Sequence, residues 1–205
     1  MTHVAAKENI DMNNTLEKDI RRRMEERGLL LTSHVVIGYP SFDVCKESVK
    51  EMSLQAAVDI IELQIPFSDP QSDGPFFTHA NQLALDMGTS IDSCVDFATS
   101  VCSEYSEQIF VYMTYYNILF KYGIDKLVAK AKQSGIRGII IPDLPIEESG
   151  EYLCACREHD IAPIFMYAPT TPRERMAEIA EQAGGFIYCQ ARRGVTGRHT
   201  TFGEE

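Results

Sequence analysis

The sequence predicts an α/β fold of the (β/α)₈ barrel type, because short apolar segments alternate with longer amphipathic ones along the chain. The apolar segments have the length of strands and cover residues 32–37, 59–65, 109–115, 138–141, 162–166 and 185–190. Strands that alternate with helices form βαβ units and a parallel sheet. A full barrel takes about 250 residues in eight units. The 205 residues therefore hold about six units, and the sequence ends in the predicted loop after strand six.

The segments between the strands carry apolar residues at helical spacing. They cover residues 43–54, 90–104, 125–134, 149–159 and 172–182, and a further helix over residues 16–27 ends at Gly28. A doubly wound dinucleotide fold would have a glycine-rich phosphate motif after its first strand, where this chain has Gly38-Tyr39-Pro40. We therefore expect a polar tail over residues 1–15 and one partial barrel domain over residues 16–205.

The composition excludes several functional classes. A net charge of −11 disfavours binding to nucleic acid and to anionic lipid. No apolar segment approaches the roughly 20 residues of a membrane span, and the first residues lack the apolar stretch of a secretory signal. The six cysteines show no CxxC spacing, so we expect reduced thiols and no metal site. These features predict a cytoplasmic protein.

Glu62 is the first candidate for chemistry. Side chains alternate across a strand, so Glu62 faces the barrel interior if its neighbours Ile61 and Leu63 face the helices. Barrel active sites lie at the C-terminal ends of the strands. Burial raises the pKa of a carboxyl group, which suits acid–base catalysis near neutral pH. From the residues alone, Glu62 could equally be a structural group that is hydrogen-bonded inside the barrel, and Asp73 in the next loop could be a turn residue.

The sequence ELQIPFSDPQSDGP, residues 62–75, closely resembles the signature of tryptophan synthase alpha subunits. Further matching blocks follow the later strands in the same order. They are Tyr115-x-Asn117 with Gly123-Ile124-Asp125, PDLPIEE at 142–148, APTT at 168–171 and GVTG at 194–197. The resemblance covers residues 16–200.

The resemblance implies a lyase that splits indole-3-glycerol phosphate by a retro-aldol reaction into indole and glyceraldehyde 3-phosphate. It implies that Glu62 transfers protons and that Asp73 binds the indole N–H. It also implies no cofactor in this chain, because pyridoxal phosphate belongs to the beta subunit with which the alpha subunit forms an alpha2-beta2 heterotetramer.

The resemblance also assigns further positions to the substrate or to the partner. The substrate-binding positions are Tyr188, Tyr115, Thr196, Gly194, Met113 and Met166. The positions on loops that face the beta subunit are Pro66, Asp69, Asn117 and Pro145.

The chain departs from the family pattern at three positions near the site. His34 stands where an apolar aromatic residue is expected, and Gln64 and Ala57 stand where glycines are usual. The family's phosphate site is built mainly by loops after strands seven and eight. We therefore expect little turnover from residues 1–205 alone. A non-catalytic alpha-like chain that binds and activates a beta subunit is the alternative function.

Overall fold

The computed structural model describes residues 15–55 and 58–191. The strands are β1 Thr32–Val36, β2 Ile60–Gln64, β3 Ile109–Met113, β4 Gly138–Ile140, β5 Ala162–Ile164, β6 Met166–Tyr167 and β7 Tyr188–Cys189. The helices are α1 Thr15–Arg27, α2 Phe42–Leu54, α3 Pro75–Asp86, α4 Ile91–Glu104, α5 Tyr116–Tyr122, α6 Ile124–Gln133, α7 Gly150–His159 and α8 Arg173–Gln182, with a 3₁₀ turn at Ile146–Glu148. None of the helices in these two ranges is long and apolar enough to cross a membrane.

The strands run parallel in the order of the chain, as in a (β/α) barrel. Strands β1 to β5 form one sheet in sequential order, and β6 pairs with β7 in the same parallel sense. In the register of the first pair, His34 lies opposite Glu62 and Val36 lies opposite Gln64. The C-terminal ends of the strands therefore gather at one end of the sheet, where a barrel has its active site.

The buried side chains form two layers on either side of the sheet. One layer lies between strands and helices and includes Ile61, Leu63 and Ile65 of β2 and the loop after it. The other lies on the inner face and includes Ile60, Val111 and Ile164. Alternate residues of a strand thus point to opposite layers, and Glu62 belongs to the inner face as the alternation predicted.

Helix α1 is tied to the N-terminal end of the sheet, opposite the active-site end. Leu16 is completely buried and packs with Ile60 and Ile109, the first residues of their strands. Gly185 allows this close approach, because a Cβ atom there would lie 2.8 Å from Cδ2 of Leu16. Arg137 fixes the helix further by hydrogen bonds of 2.7 Å to Asp19 and 2.8 Å to the carbonyl of Thr15.

The predicted helices agree with the structure within two residues at each end, but two others were missed. Helix α3 begins with Pro75 at its first position, directly after the signature loop, and the sequence analysis predicts no helix there. Helix α5 begins soon after β3, and the sequence analysis predicts no helix there either.

The last two predicted strands are shorter in the structure than the sequence analysis proposed. The apolar segment 162–166 is divided into β5 and β6, and only residues 188–189 of the segment 185–190 pair as a strand. Gly184 and Gly185 precede this pair, and Gly185 has a φ of 74°, a conformation that extended backbone does not adopt. Ala57 lies outside the described residues.

Candidate active site

A cavity of about 450 Å³ opens at the C-terminal ends of the strands. This volume is in the range of small-molecule binding sites. The side chains around it come from the strand ends and from the loops that follow them. They are His34, Glu62, Ser72, Asp73, Phe77, Met113, Ile140, Pro142, Met166, Tyr188, Cys189, Gln190 and Ala191. Both carboxylates singled out from the sequence are therefore on the wall of the same cavity.

Glu62 is the buried acid of this cavity. Its side chain is 7% exposed, and no residue in the described part of the chain donates a hydrogen bond to its carboxyl group. Burial, with a smaller contribution from the negative charge of Asp73, raises the pKa of Glu62 to about 7. A carboxyl group with this pKa can give or accept a proton near neutral pH.

Asp73 is held by two side-chain amides. Oδ2 of Asp73 accepts hydrogen bonds from Nε2 of Gln64 at 2.7 Å and from Nδ2 of Asn81 at 3.2 Å. Asn81 is completely buried and is itself fixed, because its Oδ1 accepts from the backbone N–H of Phe67 and its Nδ2 donates to the carbonyl of Phe77. The loop after β2 is thereby tied to helix α3, and the orientation of the Asp73 carboxylate is set by both.

His34 forms part of the wall next to these acids. Its ring stacks on Phe77 with 4.8 Å between the ring centroids and 9° between the planes. Burial lowers the pKa of His34, and the charge of Asp73 and the side chain of Gln64 oppose this effect to a smaller degree. The imidazole is therefore neutral at neutral pH and contributes a flat face to the cavity.

The rest of the cavity lining is largely apolar. Met113, Met166 and Tyr188 all line the cavity, as does Ile140, which the sequence analysis did not select. Burial and, to a lesser degree, the charge of Glu62 raise the pKa of Tyr188, so the phenol stays protonated at neutral pH. Apolar side chains around a pair of acids suit a flat, apolar ligand with few polar groups.

Tyr115 does not line the cavity. It is completely buried, stacks on Phe67 with 5.1 Å between centroids, and accepts a hydrogen bond of 3.2 Å at its hydroxyl from the backbone N–H of Ser72. Its place is behind the lining, where it supports the loop that carries Asp73. Thr196 and Gly194, the other two predicted substrate contacts, lie outside the described residues.

Three of the four positions predicted to face a partner are exposed. Asp69, Asn117 and Pro145 lie after β2, β3 and β4, at the same end of the sheet as the cavity. Pro66, in the loop after β2, is buried. Its side chain is therefore not available to a partner in this structure.

The structure adds residues that sequence reasoning missed. Asn81 and Phe77 both belong to helix α3, and they hold Asp73 and His34 respectively. The Gly74-Pro75 pair could have indicated this helix, since proline is favoured at the first helical position. The four-residue spacing of Phe77 and Asn81 then places both on the same face.

Within the described residues, one group of side chains could bind a metal ion. Asp125, Glu158 and His159 lie close together at the ends of α6 and α7, and none of them lines the cavity. His159 and Asp125 already satisfy each other through a contact of 2.8 Å.

Comparison with known proteins identifies the family. The family model described as tryptophan synthase alpha chain matches residues 20–205. The chain belongs to the tryptophan synthase alpha chain family. Its function is the cleavage of indole-3-glycerol phosphate in tryptophan biosynthesis, and it is a lyase.

Two curated alpha chains illustrate the similarity. The alpha chain of Syntrophotalea carbinolica is 50% identical over 187 residues, which cover 91% of this chain and 73% of the relative. That of Desulfotalea psychrophila is 46% identical over 190 residues, which cover 93% of this chain and 74% of the relative. The matched segment thus spans about three quarters of these alpha chains.

Solved structures agree with the barrel fold. A structure of Mycobacterium tuberculosis tryptophan synthase superimposes with a TM-score of 0.83 at 30% identity, covering 91% of this chain and 72% of that one. The alpha subunit of Legionella pneumophila tryptophan synthase gives 0.80 at 28% identity, covering 86% of this chain and 67% of that one. The alpha chain therefore has the (β/α) barrel fold that the alternation of segments predicted.

Proposed function

We propose that Glu62 and Asp73 are the two catalytic groups of the alpha reaction in this chain, with distinct roles set by their surroundings. The observation that carries the proposal is the buried Glu62 carboxyl group, whose pKa is raised to about 7, on the same cavity wall as Asp73. Two acids in different environments can take different parts in one reaction. Glu62 moves protons, and Asp73 remains a fixed acceptor.

Glu62 begins the cycle in its protonated form. It donates its proton to C3 of the indole ring, which turns the ring into an indolenine cation. The resulting carboxylate then removes the proton of the glycerol hydroxyl next to the ring. The carbon–carbon bond breaks, its electron pair returns to the ring, and indole and glyceraldehyde 3-phosphate leave. Glu62 ends the cycle protonated, so the protons balance over one turnover.

Asp73 stabilises the positive charge that develops in this sequence. A carboxylate that binds the ring N–H is attracted more strongly to the cationic indolenine than to the neutral indole. The amides of Gln64 and Asn81 already hold Oδ2 of Asp73 in position, so little reorganisation is needed when the charge appears. Preorganised charge of this kind lowers the barrier because it acts on the transition state more than on the ground state.

The remaining walls bind the ring. Met113, Met166 and Ile140 supply apolar contacts, and Tyr188 covers the side next to Glu62. Thr196 and Gly194 in the loop after the sixth predicted strand are proposed to complete the site over the substrate.

A beta subunit of tryptophan synthase is the proposed partner, in an alpha2-beta2 heterotetramer in the cytoplasm. The exposed residues Asp69 and Pro145 lie in the loops after β2 and β4, and Asn117 lies at the start of α5 after β3. All three are at the end of the sheet at which the cavity opens, where indole would leave toward a partner. The alpha chain needs no cofactor for its own step, and pyridoxal phosphate serves the beta subunit.

Glu62→Gln tests the catalytic assignment. The substitution keeps the shape of the side chain and removes the transferable proton. Indole release from indole-3-glycerol phosphate should fall at least about a thousandfold, a loss typical of an essential proton-transfer group, while substrate binding measured by calorimetry stays close to that of the unchanged protein.

Glu151→Gln is the matched control. Glu151 is exposed on α7 and does not line the cavity. The turnover of the Glu151→Gln variant should therefore equal that of the unchanged protein. If Glu62→Gln retained full turnover, the assignment would be refuted. If the unchanged protein released no indole but stimulated a beta subunit, the chain would act as the non-catalytic partner instead.

A further inference from the structure

Two buried polar atoms beside Asp73 have no hydrogen-bond partner in the described part of the chain. They are Nε2 of His34 and Oε1 of Gln64. Their residues lie on neighbouring strands, with His34 opposite Glu62 and Gln64 two residues further along β2 on the same face. Buried polar groups are usually paired, so two orphan atoms on adjacent strands of a catalytic cavity call for an explanation.

The orientation of the Gln64 amide follows from its neighbours. The Asp73 carboxylate accepts hydrogen bonds and donates none, so the amide nitrogen must face it, at 2.7 Å. The same nitrogen lies 3.4 Å from Oδ1 of Asn81, which takes its second N–H. The remaining amide atom, Oε1, is then an acceptor that needs a donor.

His34 can supply that donor. A neutral imidazole has one N–H, and its position on Nδ1 or Nε2 is set by the partner of each nitrogen. An amide oxygen as partner selects the form with the proton on Nε2. The ring is held in plane against Phe77. The Gln64 side chain is near enough to act on the pKa of His34, which it raises against the larger effect of burial, so the two side chains are neighbours.

We propose that His34 is a positioning residue that acts through Gln64: its Nε2–H donates to Oε1 of Gln64 and so holds the Gln64 amide on Asp73. The inference rests on the proposed role of Asp73 in the alpha reaction. It assigns a joint function to two of the three positions at which this chain departs from the family pattern. An aromatic residue at 34 and a glycine at 64 could make no such link, so the two departures depend on each other.

The link predicts a specific kinetic pattern. Gln64 does not line the cavity, so losing it removes no substrate contact and KM should change little. The orientation of Asp73 matters most when the ring becomes cationic, so kcat should fall. The proposed effect of His34 on Asp73 passes only through Gln64, and a phenylalanine at position 34 keeps a ring on the cavity wall. Removing the polar group of either residue should therefore have nearly the same effect as removing both.

A double-mutant cycle tests this pattern. His34→Phe keeps the ring that stacks on Phe77, and Gln64→Leu keeps the volume of the side chain. Each substitution should lower kcat about tenfold, and the double variant should also lose about tenfold, because the effects of residues that act as one unit are not additive.

Thr89→Val is the control. It removes another buried unpaired polar atom, away from the cavity, and should leave kcat unchanged. A hundredfold loss in the double variant, or a rise in KM with unchanged kcat in His34→Phe, would overturn the proposal.

A spectroscopic measurement on the unchanged protein does not depend on the variants folding. Nitrogen-15 spectra of histidine-labelled protein, with His34 assigned through His34→Phe, should show the proton on Nε2. A proton on Nδ1 would overturn the proposal.

Asp73→Asn separates this inference from the proposed function. Full turnover in that variant would refute the role of Asp73 without changing the protonated nitrogen of His34. An inactive Asp73→Asn variant with additive effects of His34→Phe and Gln64→Leu would refute the link alone.

Discussion

The side-chain amide of Gln64 donates a hydrogen bond of 2.7 Å to Oδ2 of Asp73. Gln64 lies two residues after Glu62 on strand β2, so both side chains face the inside of the barrel. One strand therefore carries the acid for which we propose proton transfer and also the amide that orients the second carboxylate. Strand β2 fixes the position of Glu62, and helix α3 helps to fix that of Asp73 through Asn81.

The first prediction concerns the pH dependence of turnover. The proposed cycle begins with protonated Glu62, and the pKa of this group in the free protein is raised to about 7. We expect kcat/KM for indole-3-glycerol phosphate to be constant below this pH and to fall by about tenfold per pH unit above it, since only the protonated fraction is active. Steady-state rates between pH 5.5 and 9 would measure this. A rate that rises through pH 7 would mean that the carboxylate is the starting form.

The second prediction concerns stability. The pKa of Glu62 is higher in the folded protein, about 7, than its ordinary value of 4.5. Between these two values the folded state holds a proton that the unfolded state has lost, so the free energy of unfolding decreases as the pH rises through this window. Glu62→Gln removes the effect. Relative to the unchanged protein, the variant should gain up to about 3 kcal/mol between pH 4.5 and pH 8.

Urea unfolding at the two pH values would measure this difference. Thr89→Val serves as the control, because it changes no titratable group and its effect on the free energy of unfolding should be the same at both. Equal differences for Glu62→Gln at pH 4.5 and pH 8 would show that burial does not raise the pKa of Glu62.

The third prediction concerns Asp59, which precedes β2 and is 1% exposed. Its carboxylate accepts hydrogen bonds from the backbone N–H of Leu31 at 3.0 Å and from Nη1 of Arg27 at 2.5 Å. It thereby joins the end of α1 to the starts of β1 and β2. Asp59→Ala removes the acceptor of this partly buried N–H and should cost about 1–3 kcal/mol of stability.

Glu17→Ala is the matched control for Asp59→Ala. Glu17 pairs with Arg21 on the outside of α1, where the arginine side chain is 74% exposed. Such pairs contribute about 0.5 kcal/mol or less. Thermal unfolding of both variants would distinguish the two cases, and an equal loss in both would contradict the structural role of Asp59.

Local patterns in the sequence were sufficient to predict the fold class and the face of β2 on which Glu62 lies. The alternation of strands and helices is repeated along the chain, and Ile61, Leu63 and Ile65 mark the outer face of β2 by their apolar character. Periodicity of two residues then leaves Glu62 on the inner face. The resemblance to a family motif brought Asp73 into the same hypothesis, because 11 of the 14 residues 62–75 match that motif.

Tertiary structure alone decided which residues surround these two acids. Asn81 and Phe77 reach the site from a helix that the sequence analysis did not predict. Tyr115 lies behind the lining, although it comes only two residues after Met113, which ends β3 and lines the cavity. The proximity of His34 to Gln64 and Asp73 likewise depends on the register between neighbouring strands. The periodicity of a segment indicates only which of its own faces is buried. Which side chains meet across that face depends on long-range packing, which no short window of the sequence contains.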